Sequence, residues 1–148
     1  MNSLYKSITF LTISAFFAFV AMKLESSFAD KFAENILALL TTLFAINIAS
    51  STLIAGKLRE IQDKTGHPFI KTKKSLKNSF YEQIALIGIA FIFALLRESI
   101  YIQNLIEFSN CKLICNAILF YTFMSYLDII RDLGKSLFDL LNFGENEW

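Results

Sequence analysis

Four long stretches without a charged residue constrain this chain more than any other feature. As helices they would be roughly 24, 33, 21 and 22 Å long, against a bilayer hydrocarbon core of about 30 Å. The second is long enough to cross unaided, and the others need a few flanking residues. The stretches are residues 7–22, 35–56, 83–96 and 113–127. They predict four membrane spans, at about residues 7–23, 35–57, 78–101 and 111–128.

The composition agrees with a membrane protein. Hydrophobic residues make up 55% of the 148 positions and charged residues 18%, whereas soluble domains carry roughly 25% charged residues. Disorder is excluded by this composition, and two cysteines are too few for a secreted disulfide scaffold. The first stretch resembles a secretory signal, but Phe19 stands two before Ala21, where a cleavage site needs a small residue. We therefore expect an uncleaved first span.

The cations are distributed unevenly along the chain. Seven of them lie in the basic segment 57–77, opposed there by only Glu60 and Asp63. If four spans alternate around this segment, ten of the 14 lysines and arginines fall on its side of the membrane. The positive-inside rule predicts that this side is the cytoplasm. Both termini are then expected to be cytoplasmic.

Helical patterns extend the spans beyond the membrane. Ser27 followed by Asp30 resembles a capping box ahead of the second span, and the cluster 65–68 predicts a turn between two cytoplasmic helical extensions. Residues 128–143 form an amphipathic tail that we expect to dock on protein, either its own bundle or a partner, rather than on the membrane surface. The apolar stripe of the tail is Ile129, Ile130, Leu133, Leu137, Leu140 and Leu141. The predicted fold is an all-α membrane protein with four transmembrane helices, cytoplasmic helical extensions and a C-terminal amphipathic helix.

The sequence contains none of the motifs that carry catalysis or bind cofactors. G-x-S-x-G, the P-loop, H-E-x-x-H and G-x-G-x-x-G are all missing, and the single histidine, His67, lies in the predicted turn. Cys111 and Cys115 are one helical turn apart with no histidine nearby to complete a metal site, so we expect them to be packing residues. No enzymatic activity, cofactor or metal is expected.

Small residues follow one face of the second span. They recur at alternating spacings of four and three residues, at Ala38, Thr42, Ala45, Ala49, Thr52 and Gly56. In lipid, small side chains let helix backbones approach closely, and a period of about 3.5 residues favours a left-handed crossing. This small-residue face predicts a contact with another helix of the same chain, a contact between subunits, or a pore lining.

Polar residues inside the spans are further candidates. Asn47 lies on the opposite side of span two and needs a hydrogen-bond partner or a hydrated path. Tyr121, Ser125, Asp128 and Asp132 form a polar line that leads down span four to the cytoplasmic face. This line predicts either an acidic pore mouth that favours cations or an interfacial helix end whose Tyr121 and Tyr126 belong to an aromatic belt.

Two charged groups complete the candidate residues. The lysines of the basic segment are expected to set the topology and to bind an anionic lipid, a nucleic acid or a cytoplasmic partner. They are Lys71, Lys73, Lys74 and Lys77. Arg97 and Glu98 interrupt the outer end of span three, where they are expected to pair or snorkel, or to act as a gate.

Together, these features resemble the small membrane effectors of bacterial anti-phage systems, of which the Hailong-type systems are one group. The likeness rests on a Phe-rich chain with four short spans, a basic segment, an amphipathic tail and no catalytic residues. It implies a homo-oligomeric channel of the bacterial inner membrane that opens to depolarise an infected cell. It also implies a cytoplasmic nucleotidyltransferase-like partner, with DNA oligomers as an indirect ligand, that keeps the channel closed. No individual residue receives a role from this likeness.

Two other functions fit the same features. A non-conducting immunity protein, which shields a producer's membrane from a pore-forming bacteriocin, is also small, polytopic and Phe-rich. A holin is the third hypothesis, although holins seldom have so large a cytoplasmic segment. The homo-oligomeric channel is the leading hypothesis.

Overall fold

The computed structural model describes residues 3–24, 27–66, 68–99 and 108–145, and over these residues it consists of four α-helices. They are α1 (Ser3–Lys23), α2 (Phe28–Thr65), α3 (Ile70–Glu98) and α4 (Phe108–Glu145). All four are long and apolar enough to cross a membrane. The prediction of an all-α protein with four transmembrane helices is therefore confirmed. His67 and the outer end of the predicted third span, residues 100–101, lie outside the described residues.

The ends of α2 are set by different local interactions. At its C-terminal end, Gly66 has a φ of 70°, and its backbone N–H donates to the carbonyl of Gln62. Glycine adopts this left-handed conformation without steric cost, so α2 can stop and turn into α3. At its start, Ser27 has helical backbone angles and makes no side-chain capping bond. The predicted capping box is thus wrong, and Asp30 instead pairs with cations of α3 and α4.

The buried side chains of α2, α3 and α4 recur every seven residues, so these helices pack in layers. The buried residues of α3 are Leu76, Gln83, Ala90 and Arg97. One apolar cluster includes Leu40, Ala90 and Leu119. A second cluster includes Ile54, Leu76 and Leu133. A seven-residue repeat of core positions is typical of left-handed helix bundles.

α4 is the helix against which the others pack. It contacts α1, α2 and α3, whereas α1 touches α2 only lightly, and within the described ranges its backbone does not come close to α3. Stacked rings reinforce the packing of α2 on α4, with the centres of Phe32 and Phe120 4.7 Å apart. The bundle therefore has a gap between α1 and α3, with α4 behind it.

The amphipathic tail continues α4 without a break. Leu133 is buried in an apolar cluster with side chains of α2 and α3, and Ile129 and Leu137 pack against the same cluster. The tail thus docks on its own bundle. The side chains of Leu140 and Leu141 lie outside the described part of the chain.

Candidate functional site

A polar cleft occupies the gap between α1 and α3 and has a volume of about 440 Å³. Its wall on α4 contains Tyr121, Ser125 and Asp128, three of the four members of the polar line predicted from the sequence. Lys6 of α1 and Glu82 of α3 line it from the two sides. The fourth member, Asp132, lies outside this lining and borders a neighbouring cleft.

Asp128 is the charged centre of this polar cleft. Its side chain is 15% exposed and forms an ion pair with Lys6. Arg131 Nη2 lies 2.9 Å from Asp128 Oδ1, off the hydrogen-bonding direction. Lys6 Nζ also lies 3.8 Å from a carboxylate oxygen of Asp132. Lys6 therefore links the start of α1 to α4 through ion pairs.

The polar cleft has an excess of negative charge. The charged side chains of its lining are Lys6, Asp128 and Glu82; Lys6 pairs with Asp128, and Glu82 makes no ion pair with any residue in the described ranges. A second cleft of about 240 Å³ shares Glu82 and is lined by further polar side chains of α3 and α4. The Glu82 carboxylate, which lies in both clefts, favours the approach of cations.

The small-residue face of α2 points away from its own bundle. Its exposed members are Ala38, Thr42, Ala45, Ala49, Thr52 and Gly56. Successive helical residues are about 100° apart, which puts buried Leu40, Asn47 and Ile54 on the opposite side of α2. Thr52 borders a cleft shared with α3, but among the described residues the face as a whole does not pack against a helix of the same chain, because larger side chains of α2 fill the core. Thr42 and Thr52 donate instead to backbone carbonyls one turn earlier.

A polar layer lies inside the bundle, between the two apolar clusters. The Tyr126 hydroxyl donates to Gln83 Oε1 at 3.0 Å, and both side chains are fully buried. The seven-residue register places Asn47 at the same level. Asn47 Nδ2 and Ser51 Oγ are buried without a hydrogen-bond partner among the residues described.

The polar layer corrects one expectation from the sequence and adds one residue that the sequence analysis did not identify. Tyr126 is an interior residue rather than a member of an interfacial aromatic belt, because its ring packs in the apolar cluster and its hydroxyl has a buried acceptor. Gln83 was missed altogether. The available signal was its spacing of seven residues from Leu76 on one side and Ala90 on the other.

A charged cluster joins α2, α3 and α4 at the opposite end of the bundle. The side chain of Arg97 is only 3% exposed. Its Nε donates to Asn116 Oδ1 at 3.0 Å, its Nη1 donates to Glu98 Oε1 at 2.7 Å, and its Nη2 pairs with Asp30. Lys112 Nζ lies 3.0 Å from the same Asp30 oxygen. Arg97 and Glu98 are therefore paired, and their role as a gate stays a prediction.

The four lysines of the predicted anion site divide into two pairs. All four are exposed. Lys73 Nζ donates to Gln62 Oε1 at 2.8 Å, which links α3 to α2. Lys73 and Lys77 line a separate cleft of about 380 Å³ between α2 and α3, whereas Lys71 and Lys74 do not.

The cysteines and carboxylates form no evident metal site. Cys111 and Cys115 are buried free thiols on α4. In the described ranges, no group of three or more His, Cys, Asp or Glu side chains is placed to hold a metal ion.

The fold and these sites define the class of this protein as an all-α membrane protein with four helices suited to spanning a bilayer. Comparison with protein-family models, with curated proteins and with solved structures gives no match. The function is therefore inferred from the helices and their side chains.

Proposed function

We propose that this chain is the subunit of a homo-oligomeric membrane pore or ion channel, gated from the cytoplasm, that depolarises the membrane in anti-phage defence. The outward orientation of the small-residue face of α2 carries this proposal. Every member of the face is exposed, so the whole length of the face is available to a neighbouring subunit. A chain with this face turned inward would offer no such surface.

The physical argument concerns how helices associate in lipid. Lipid tails are as apolar as leucine, so hydrophobicity alone gives two spans no reason to pair. Small side chains such as Ala45 and Ala49 let two backbones approach and gain many weak dispersion contacts. The alternating spacing keeps this surface in register with a second copy of itself over the full span.

Charges at the end of α2 support the same arrangement. Glu60 pairs with Lys57 at 2.9 Å and with Lys64 at 3.1 Å. The hydrogen bonds from Lys57 and then Lys64 lower the pKa of the exposed Glu60 carboxyl. Arg59 and Asp63 continue the small-residue spacing and make no ion pair with residues in the described ranges. Subunits of a membrane oligomer share one orientation, so Arg59 of one copy would lie near Asp63 of the next.

The polar cleft supplies a site for ion entry in this proposal. Glu82, which makes no ion pair with the described residues, would attract cations at the end of the bundle that the positive-inside rule assigns to the cytoplasm. The apolar layer of Leu40, Ala90 and Leu119 fills the interior of the subunit. This arrangement corresponds to a closed state, which a nucleotidyltransferase-like protein or a nucleotide ligand would control from the same end.

Two measurements on the full chain test the proposal. The first is the mass of the detergent-purified particle, with a ring of several subunits expected. The second is ion flux into liposomes containing the protein, together with depolarisation and growth arrest in expressing cells. A monomer that leaves the membrane potential unchanged at full expression would contradict the proposal.

A charge-reversal series tests the interface itself. Arg59→Asp or Asp63→Arg alone should lower the oligomer fraction, because like charges then face each other, and the double variant should restore it. Lys64→Asp is the matched control, since it makes the same charge change on α2 away from the small-residue face. If Lys64→Asp weakens assembly as much as Arg59→Asp, net charge rather than the proposed pairing is responsible.

The second candidate is a non-conducting immunity protein. The observation in its favour is that one subunit already has a packed interior, in which Tyr126 bonds to Gln83 and Arg97 bonds to Asn116. A complete monomer is what a binding protein needs. Harmless expression, a monomeric particle and protection against one pore-forming toxin would select this function over the channel.

A further inference from the structure

The cleft between α2 and α3 combines two different surfaces. Ala55, Leu76 and Phe80 give it apolar walls, and Lys73 and Lys77 stand at its border. The order along α3 is informative, because the lysines lie nearer the turn at Gly66 and Phe80 lies nearer the membrane span. Ala55 and Leu76 thus form the wall beside the two lysines, and Phe80 extends the apolar wall toward the span, about two helical turns from Lys73.

This sequence of surfaces matches the chemistry of a phospholipid. Lys73 and Lys77 are four residues apart and therefore lie on the same face of α3. Lys73 uses one donor for Gln62 Oε1, and an ammonium group has two more to offer a phosphate oxygen. A soluble phosphate would satisfy the lysines but would leave the apolar walls uncovered.

A buried hydroxyl in the same cleft lacks a partner. Ser51 lines the cleft, is 4% exposed, and its Oγ makes no hydrogen bond with the described residues. A buried hydroxyl without a partner is destabilising. The neighbouring side chains cover this Oγ, so an ester oxygen of a lipid in the cleft can supply the missing partner only when they shift.

We infer that this cleft binds one anionic phospholipid, with its phosphate at Lys73 and Lys77, its glycerol beside Ala55 and Leu76, and an acyl chain that passes Phe80 toward the span. The inference is independent of ion conduction. Thr52 belongs both to the cleft and to the small-residue face of α2. The bound lipid therefore lies beside the surface proposed for contact between subunits.

The test is native mass spectrometry of the delipidated full chain in micelles containing either phosphatidylglycerol or phosphatidylcholine. One phosphatidylglycerol should remain bound, and phosphatidylcholine should bind at least tenfold more weakly. Lys73→Gln with Lys77→Gln should weaken phosphatidylglycerol binding about 30-fold, the effect of two cations at a membrane surface. Lys71→Gln with Lys74→Gln removes the same charge away from the cleft and should change binding less than threefold.

A variant that fills the cleft tests whether its apolar walls contribute to lipid binding independently of the lysine charges. Ala55→Phe leaves the lysines in place and should weaken binding of both lipids, while helicity and particle mass confirm folding. Equal binding of the two lipids would overturn the inference. So would equal losses in the two lysine pairs, displacement of the lipid by glycerol 3-phosphate, or tighter binding of a short DNA oligonucleotide to Lys73 and Lys77.

Discussion

Tyr126 of α4 donates a hydrogen bond to the side-chain oxygen of Gln83 of α3, 3.0 Å away, and neither side chain is exposed. Gln83 Nε2 reaches Ser79 Oγ at 3.4 Å on its own helix. The bond joins two helices between apolar layers, where a polar group without a partner is costly. A shift of either helix by one residue would separate the pair, so the bond favours one register of α3 against α4.

Replacing Tyr126 tests the contribution of this bond. Tyr126→Phe should lower the free energy of unfolding by about 1 kcal/mol, because it leaves Gln83 Oε1 buried without a donor. Adding Gln83→Met should recover part of this loss, since the orphaned oxygen is also removed. Denaturation of the purified protein in mixed micelles measures both. Tyr121→Phe, at the partly exposed cleft, is the control and should change stability by less than about 0.5 kcal/mol.

Neutralising Asp30 tests the charged cluster around Arg97. Asp30→Asn should lower the free energy of unfolding by about 2 kcal/mol, because it removes one carboxylate from a buried guanidinium that also pairs with Glu98. The control is Glu34→Gln, one turn further along α2, which makes no ion pair with the described residues. Equal effects of the two variants in the same unfolding assay would show that Arg97 does not depend on Asp30.

The same substitution at two alanines separates the core from the small-residue face. Ala90→Leu should destabilise the subunit by about 1–3 kcal/mol, because Ala90 is fully buried among α2 and α4. Ala49→Leu should leave the unfolding free energy of the subunit within about 0.5 kcal/mol, because Ala49 is exposed. It should nevertheless reduce the oligomer fraction and the ion flux. A wild-type particle mass for Ala49→Leu would remove this face from the proposed interface.

Two glycines, one inside α2 and one directly after it, predict opposite effects of an added methyl group. Gly66→Ala should destabilise by about 1 kcal/mol, because its φ of 70° strains any residue with a Cβ atom. Gly56→Ala should stabilise α2 by about 0.5 kcal/mol, since Gly56 is helical and nothing lies within 4 Å of an added Cβ. Thermal unfolding in detergent provides the comparison. Equal signs for the two variants would contradict the left-handed turn at Gly66.

The candidate site was predictable only in part. The polar line of Tyr121, Ser125, Asp128 and Asp132 follows from helical spacing, and the structure places the first three on one cleft and Asp132 on its neighbour. Lys6 and Glu82, which complete that cleft, lie on other helices, and no local pattern connects them to Asp128. The separation of the four lysines into two pairs could not be predicted from the sequence either. The packing of α2 on α3 creates the cleft that Lys73 and Lys77 border.

The sequence by itself determined the number of spanning helices and the helical fold, because charge is excluded from a bilayer core whatever the helices do next to one another. It also contained the alternating spacing of small residues on α2. Which way that face points was decided by the tertiary structure, since the larger side chains on the other side of α2 fill the core and turn Ala49 outward. The packing of the helices on one another likewise placed Tyr126 inside the bundle and Asp128 in a cleft shared by three helices.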